Sequence, residues 1–416
     1  MNIVVDLKIA NYSGSFNGVN TKGNRYHSIA INAQDLYRHA IANTSCEIFT
    51  PAHFKKYGWE AIYRFGIVKS LSHVDNIFAL NVKNRFYFLN YADHHMLSSN
   101  VMQDAYRQQT RAGFFHDVCI RHYGPRRVFP DIISRLVKNP LSEGIISDTT
   151  RDNSYHVGMI FSRLYAEQAF SVPFLTHICD LKKLHPHAVV SNNGLEPDLA
   201  GQDLRLQWHA FEAKGATSEP YLYSGLAKAK KQLASLVSIN KNTNITRSAC
   251  GTLYNENGVR TLLRDPEPTG ETTMVLDLLS AILLHYKYIN LDTKLPSRTD
   301  GLPNFISLLD LKFSGRLFRM SIHKNILNLL REFNQISRIA PLSSDGKNIR
   351  ELNNDALSEI IMERNDRYSH LLKQYTEIVK DMSRVIDNNF RDGAGEMSDI
   401  SIGIDGLCLE SFVQAS

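Results

Sequence analysis

Pro197-Asp198-Leu199-Ala200-Gly201 is followed by Leu204-Arg205-Leu206-Gln207-Trp208-His209-Ala210-Phe211-Glu212-Ala213-Lys214-Gly215. The second run reads as a strand, apolar along both faces until it closes on Glu-x-Lys. Residues two apart in a strand share a face, so Glu212 and Lys214 point the same way as Leu206, Trp208 and Ala210. The pattern predicts a buried central strand with a polar mouth. Burying an acid and an amine there costs free energy unless something uses the charges.

A divalent metal would use them. Asp198 and Glu212 supply hard oxygen ligands, and the backbone carbonyl of Ala213 can add a third. That set suits Mg²⁺, with Mn²⁺ as a substitute, because Mg²⁺ keeps several waters and is completed by phosphate oxygens. Lys214 beside the ion can orient the attacking water and offset phosphate charge, while the ion acts as a Lewis acid. Two acids, an amine and a divalent ion describe phosphodiester hydrolysis.

The flanks are predicted as follows. A helix capped by Asp152 or Ser154 runs to Phe170 and is stopped by Pro173. A short strand lies at Ala188–Val190. A second helix spans Ser224–Ile239, with Leu226, Leu233, Leu236 and Val237 on its apolar face. Strands at Ser248–Tyr254 and Val259–Leu263 are joined by Asn255-Glu256-Asn257-Gly258.

With these elements around it, the Pro197-Asp198 and Glu212-Ala213-Lys214 pair resembles the signature of the PD-(D/E)XK nuclease superfamily, which has the restriction-endonuclease-like fold. The resemblance covers roughly residues 150–268. It implies an α/β core with a central mixed sheet flanked by helices, and a metal-dependent nuclease, an endonuclease with DNA favoured as substrate. It implies a further acid from the preceding helix, for which Glu167 is the candidate. It also implies Lys or Gln directed to the site from the following helix, where Ala227-Lys228-Ala229-Lys230-Lys231-Gln232 stands. Lys228 and Gln232 share a helix face and are favoured over Lys230. The RecB-like branch has a Tyr four residues after that Gln; here the residue is Leu236, and the branch is not assigned. By analogy of family, the setting is prokaryotic genome defence. The alternative is a nucleic-acid-binding or scaffold subunit that keeps the fold without catalysis.

Between Gly215 and Arg247, the five basic residues Lys228, Lys230, Lys231, Lys241 and Arg247 stand against Glu219 alone. Next to a phosphodiester site, Lys228, Lys231 and Arg247 are candidates to track backbone phosphates; a solvated helix face is the competing reading. Over the whole chain, 47 Lys and Arg against 42 Asp and Glu give a net charge of +5, compatible with nucleic acid without requiring it. At 416 residues, with 43% hydrophobic and 21% charged residues, the chain is neither disordered nor fibrous. Five scattered Cys with no Cys-x-x-Cys predict no disulfide framework and no structural zinc, and a reducing cytoplasm is the expected compartment. The N-terminal residues lack signal-peptide patterning. The most apolar window, Thr273–Leu284, is short and contains Asp277, so it predicts a buried helix and no membrane partner.

Three regions are expected: an α/β region over 1–145 as a candidate for substrate or partner binding, the nuclease-like core over 146–270, and a mostly helical assembly or regulatory region over 271–416 ending in a hairpin. The first contains a strand pair at Ile77–Leu80 and Arg85–Leu89, a Gly- and Ser-rich loop over Asn11–Arg25, and an Arg- and aromatic-rich stretch over 103–127. His116, Cys119 and His122, together with His94-His95 and His185-Pro186-His187, read as packing rather than ligands. In the third region, Ile361, Tyr368, Tyr375 and Met382 recur every seven residues, as do Leu371, Ile378 and Val385. They predict one long amphipathic helix over Asp355–Phe390, whose stripe seeks a second copy or another protein if its own chain does not cover it. Ile400, Ile402 and Ile404, then Asp405-Gly406, then Leu407 and Leu409, predict the terminal hairpin.

Overall fold

The structure is a computed structural model. It describes residues 2–10, 15–16, 19–20, 25–32, 35, 38–39, 77–82, 85–90, 134–135, 147–185, 187–193, 195–255, 258–286, 302, 304–313, 316–339, 352–390 and 400–412. The 103–127 stretch, His94-His95, the His116/Cys119/His122 spacing and Pro186 lie outside the described residues.

The first strands are β1 (Asn2–Ala10), a small hairpin of β2 (Ser15–Phe16) and β3 (Val19–Asn20), and β4 (Arg25–Asn32). A separate antiparallel pair, β5 (Ile77–Val82) and β6 (Arg85–Asn90), falls on the two segments expected to pair, and β7 (Ser134–Arg135) follows. Then come α1 (Ser147–Phe170), β8 (Thr176–His177), α2 (Ile178–Leu184), β9 (Val189–Ser191), β10 (Leu199–Gln202) and β11 (Trp208–Ala216). After them lie α3 (Glu219–Ser235), β12 (Leu236–Ile239), β13 (Ile245–Asn255), β14 (Gly258–Arg264), β15 (Thr272–Leu276) and α4 (Leu278–His285). The chain continues through β16 (Phe305–Phe313), β17 (Arg316–His323), α5 (Lys324–Ile339), α6 (Asn354–Arg367) and α7 (Ser369–Phe390) to β18 (Ile400–Ile402) and β19 (Leu407–Phe412).

The main sheet is mixed, in the order β4-β1-β14-β13-β11-β10-β8, with β7 also on β1. Strand β11 is central: it runs parallel to β13 and antiparallel to β10. Because β1 runs parallel to β14, residues from before position 145 complete the sheet that carries the Glu-x-Lys strand.

Alternation along β11 sends its side chains to two helical layers. Phe211 and Ala213 cluster with Met159 and Ala166 of α1. The other face meets α3, whose Leu222, Leu226, Ala229 and Leu233 are buried. The fold is thus mixed α/β, with mixed sheets flanked by helices. One contact between layers demands glycine. A Cβ on Gly215 would stand 1.8 Å from the Ser154 carbonyl oxygen, and one on Gly158 would stand 2.7 Å from the Gly215 nitrogen. Helix α1 therefore lies backbone to backbone on the end of β11 that bears Lys214.

Four expectations are corrected. Leu206 is not on the strand: it sits at φ 64° in the β10–β11 turn, where the Asp203 carboxylate accepts from Arg205 N (2.8 Å) and Gln207 N (2.9 Å). The second helix ends at Ser235, and Leu236–Ile239 forms β12, paired with β15. The region after 271 is mixed, since β15 joins β9 and β12 while β16-β17-β19-β18 forms a four-stranded sheet. The helix over 355–390 is two helices, divided at Tyr368. They divide because they cover different surfaces: Leu357 and Ile361 pack on Val190, while Leu371, Tyr375 and Val379 join the main core. That part of the stripe is covered by its own chain, which removes the reason for seeking a second chain there.

The terminal hairpin forms as expected, with Gly406 at φ 76° in its turn. Among the described residues Cys179, Cys250 and Cys408 are free thiols, and no helix is long and apolar enough to cross a membrane.

Candidate active site

Strand β10 ends its pairing at Leu199, opposite Phe211, so the last residues of β11 extend past it. Asp198 occupies the opening. Its carboxylate Oδ2 accepts from Ala213 N at 2.9 Å, and its own N–H donates to Glu212 Oε2 at 3.1 Å. Lys214 Nζ donates to Glu212 Oε1 at 2.5 Å and stands 3.6 Å from Asp198 Oδ2. Asp198, Glu212 and Lys214 therefore converge at one mouth of the sheet. Glu212 is 2% exposed, whereas the Lys214 side chain is 30% exposed.

The electrostatics follow from this placement. Burial, then the charge of Asp198, push Glu212 up to about 7 against the pull of Lys214. Burial works to lower the Lys214 amine, but Asp198 and Glu212 outweigh it and hold the amine above its ordinary value. Two adjacent carboxylates here share one amine as their counter-charge.

The donor set fits a hard divalent ion. Asp198 and Glu212 bring oxygen ligands, and the Ala213 N–H already points to the side where β10 has ended. In an antiparallel ladder the carbonyl of a residue points to the same side as its N–H, so the Ala213 carbonyl faces the same opening. Among the described residues no group of three or more His, Cys, Asp or Glu side chains gathers for a metal, so the set consists of two carboxylates and a carbonyl.

The other candidates are placed differently. Glu167 does not join this group: Arg38 holds both of its oxygens, at 2.6 Å and 2.8 Å, inside a buried cluster. The cause is the direction of α1. Its Ser154 and Gly158 meet Gly215, while Phe170 meets His209 and Phe211, so the helix runs antiparallel to β11. Glu167 then lies about 13 Å along the helix from Gly158. Gln232 reaches the site indirectly, donating to the Glu196 carbonyl at 2.6 Å and so holding the segment that leads into Asp198. Lys182 pairs with the Glu196 carboxylate.

Arg247 is 5% exposed and spends its donors on Leu236 O (2.8 Å) and Ile245 O (3.0 Å), which ties β13 to β12 instead of offering a phosphate contact. Lys228 and Lys231 are exposed on α3. Gly225 lies on the Lys214 stem, where a Cβ would stand 3.4 Å from both Lys214 Cβ and Cγ. Gly225, Lys228 and Gln232 occur at helical spacing on one stripe, which places Lys228 between the Lys214 contact and the Glu196 contact.

Sequence reading missed Gly158, Gly225 and the pair Lys182–Glu196. A glycine inside an apolar helix signals close approach, so Gly158 had a readable mark. Lys182 and Glu196 meet only in three dimensions. Set against known proteins, the chain matches no family model, no curated protein and no solved structure.

Proposed function

We propose that the chain is a metal-dependent nuclease of the PD-(D/E)XK type, hydrolysing phosphodiester bonds, with DNA favoured over RNA. The observation that carries the reading is the convergence of Asp198, Glu212 and Lys214 at the open end of the central strand. The mixed sheet between α1 and α3, with its parallel β11–β13 pair, supports a restriction-endonuclease-like core.

Asp198, Glu212 and the Ala213 carbonyl would hold Mg²⁺, or Mn²⁺ in its place. When bound, that ion supplies a Lewis acid for the phosphoryl oxygens. Lys214 is the chain's own group for the attacking water. Its amine stays protonated between the two acids, so it can position the water's oxygen and offset charge that builds on the phosphate. Gly225 leaves space over the Lys214 stem, and Gln232 fixes the Glu196–Asp198 segment so that the Asp198 carboxylate keeps its direction.

The test is cleavage of plasmid DNA and of RNA with and without Mg²⁺, by wild type and by Glu212→Gln. The expected result is Mg²⁺-dependent cleavage that the variant loses. A wild-type chain that binds nucleic acid and cleaves neither polymer would replace this reading with the scaffold alternative.

A further inference from the structure

We propose that Lys182 and Glu196 are positioning residues for the reaction: their ion pair anchors the Glu196–Asp198 segment to α2 and so keeps the Asp198 carboxylate aimed at the divalent ion. The proposal rests on the nuclease reading and extends it from the residues that would meet the ion to a pair that does not.

The two acids of the site are held by different means. Glu212 lies within the β11 ladder, opposite Ala249 of the parallel neighbour β13. Asp198 comes before Leu199, the first paired residue of β10, and its side chain is 22% exposed. The sheet therefore fixes one carboxylate and leaves the other to local restraints. Two of these are the bonds from Asp198 N to Glu212 Oε2 and from Ala213 N to Asp198 Oδ2. Both use carboxylate oxygens that a metal would claim, so a lasting hold on Asp198 has to come from elsewhere.

It comes from α2 and α3. The Ile178 N–H, at the start of α2, donates to the Asp198 carbonyl at 3.1 Å. Lys182 lies four residues on, one turn along the same face of α2, and pairs with the Glu196 carboxylate. From α3, Gln232 donates to the Glu196 carbonyl at 2.6 Å. The buried Pro197 joins the two anchored residues. Its ring fixes its own φ and restricts Glu196 to extended backbone, so few torsions separate the Glu196 anchor from Asp198. A shift of Glu196 is thus passed on to Asp198 instead of being absorbed. The Lys182 side chain is 40% exposed. An ion pair this close to solvent adds little to global stability, so its loss should be felt at the metal more than in the fold.

The test begins with the metal-free chain, titrated with Mn²⁺ while free Mn²⁺ is read by electron paramagnetic resonance. Single-turnover cleavage of a DNA duplex is then followed across Mg²⁺ concentrations. A group that contacts a metal ligand directly is worth about 10- to 100-fold in metal affinity. Lys182 acts one step further out through a partly exposed pair. Lys182→Met should therefore weaken Mn²⁺ binding, and raise the half-saturating Mg²⁺, by about 3- to 10-fold. The rate at saturating Mg²⁺ should stay within about twofold of wild type, and the melting temperature should fall by about 3 °C at most. Glu196→Ala should match Lys182→Met, and the double variant should bind no more weakly than either. Lys182→Arg keeps the pair and should bind metal as wild type does. Either metal shift, absent from Lys182→Arg, supports the proposal. If neither moves in Lys182→Met, the proposal falls, and a lowered melting temperature alone would make the pair a fold contact only. Weaker duplex binding in EDTA with unchanged metal affinity also overturns it, since Lys182 would then be a phosphate contact. In both cases loss of cleavage by Glu212→Gln leaves the nuclease reading standing. A wild-type chain that cleaves neither DNA nor RNA overturns the nuclease reading and this proposal with it.

Discussion

Two largely buried glutamates in this molecule, Glu212 and Glu167, have both been pushed up to about 7, in each case first by burial. Their surroundings differ. Both oxygens of Glu167 are forked by Arg38, which also reaches Ser401 Oγ (3.0 Å) and Asp405 Oδ1 (3.5 Å), while Asp405 Oδ2 meets His285 Nε2 at 3.1 Å. Arg38 is 2% exposed, and the cluster ties α1 to Arg38, α4 and the terminal hairpin. Glu212 instead shares a lysine with Asp198, and that lysine is partly exposed at the mouth of the sheet. A planar, always-charged guanidinium saturates its carboxylate, whereas a flexible ammonium can swing aside for an ion or a phosphate. A perturbed buried acid therefore does not mark function by itself; the mobility and exposure of its cation partner separate a lock from a site.

Removing each cation should separate the two sites most widely. Lys214→Ala should lower cleavage by about 1,000-fold or more, roughly 4 kcal/mol of transition-state stabilisation, with little change in melting temperature. Arg38→Ala should do the reverse. It leaves Glu167 and Asp405 buried without their cation, at a cost of about 3–5 kcal/mol read as a lowered denaturant midpoint. A Lys214 variant that unfolds, or an Arg38 variant of wild-type stability, would show the roles assigned to the two sites to be reversed.

Both acids should also respond to pH. A carboxylate raised from about 4.5 unfolded to about 7 folded binds its proton more readily in the folded state. Stability without metal should therefore fall as pH rises from about 4.5 to about 7, by on the order of 1–3 kcal/mol for each acid. Thermal melts across that window in EDTA measure the slope. Glu212→Gln should remove its share and leave the share of Glu167. Mg²⁺ should stabilise the wild type increasingly as pH rises, since it binds the ionised carboxylate. A slope of opposite sign would mean that both acids are ionised throughout the window.

The β11 strand, the β13–β14 pair, the body and end of α1 and the terminal hairpin were legible because each is a local pattern: an apolar run, a turn-forming Asn and Gly cluster, a helical stripe; the start of α1 was not, since the helix begins at Ser147 and passes through the expected caps Asp152 and Ser154. Asp198, Glu212 and Lys214 were legible for the same reason, since alternation puts Glu212 and Lys214 on one face and the Asp203 turn folds Asp198 back beside them. Glu167 was misplaced because nothing local states that α1 runs antiparallel to β11. Arg247 looked like surface charge because one of its backbone acceptors, Leu236 O, lies on a different strand, β12. The seven-residue rhythm continues through Tyr368, so the break between α6 and α7 could be seen only from the two surfaces they cover. The parallel pairing of β1 with β14 spans about 250 residues of sequence, and no periodicity reports that.

The smallest expected effect asks how far the open mouth extends beyond Lys214, and it lies on α3. Lys228 shares a stripe with Gly225, which touches the Lys214 stem, and with Gln232, which holds Glu196. Lys231 is one residue before Gln232, about 100° further round the helix. Both are exposed, so neither should matter for folding. Lys228→Ala should weaken DNA binding by a few-fold and reduce the slope of log affinity against log salt by about 1, as expected when one phosphate contact is lost. Lys231→Ala should change both by less. Arg247→Ala, which removes a buried tie between β12 and β13, should lower stability and leave the salt slope unchanged. Fluorescence titrations of a labelled duplex at several salt concentrations in Ca²⁺ separate the three. Equal slopes for Lys228→Ala and Lys231→Ala would mean that the duplex runs along the outer face of α3 and not across the mouth, which would detach the helix stripe from the catalytic lysine.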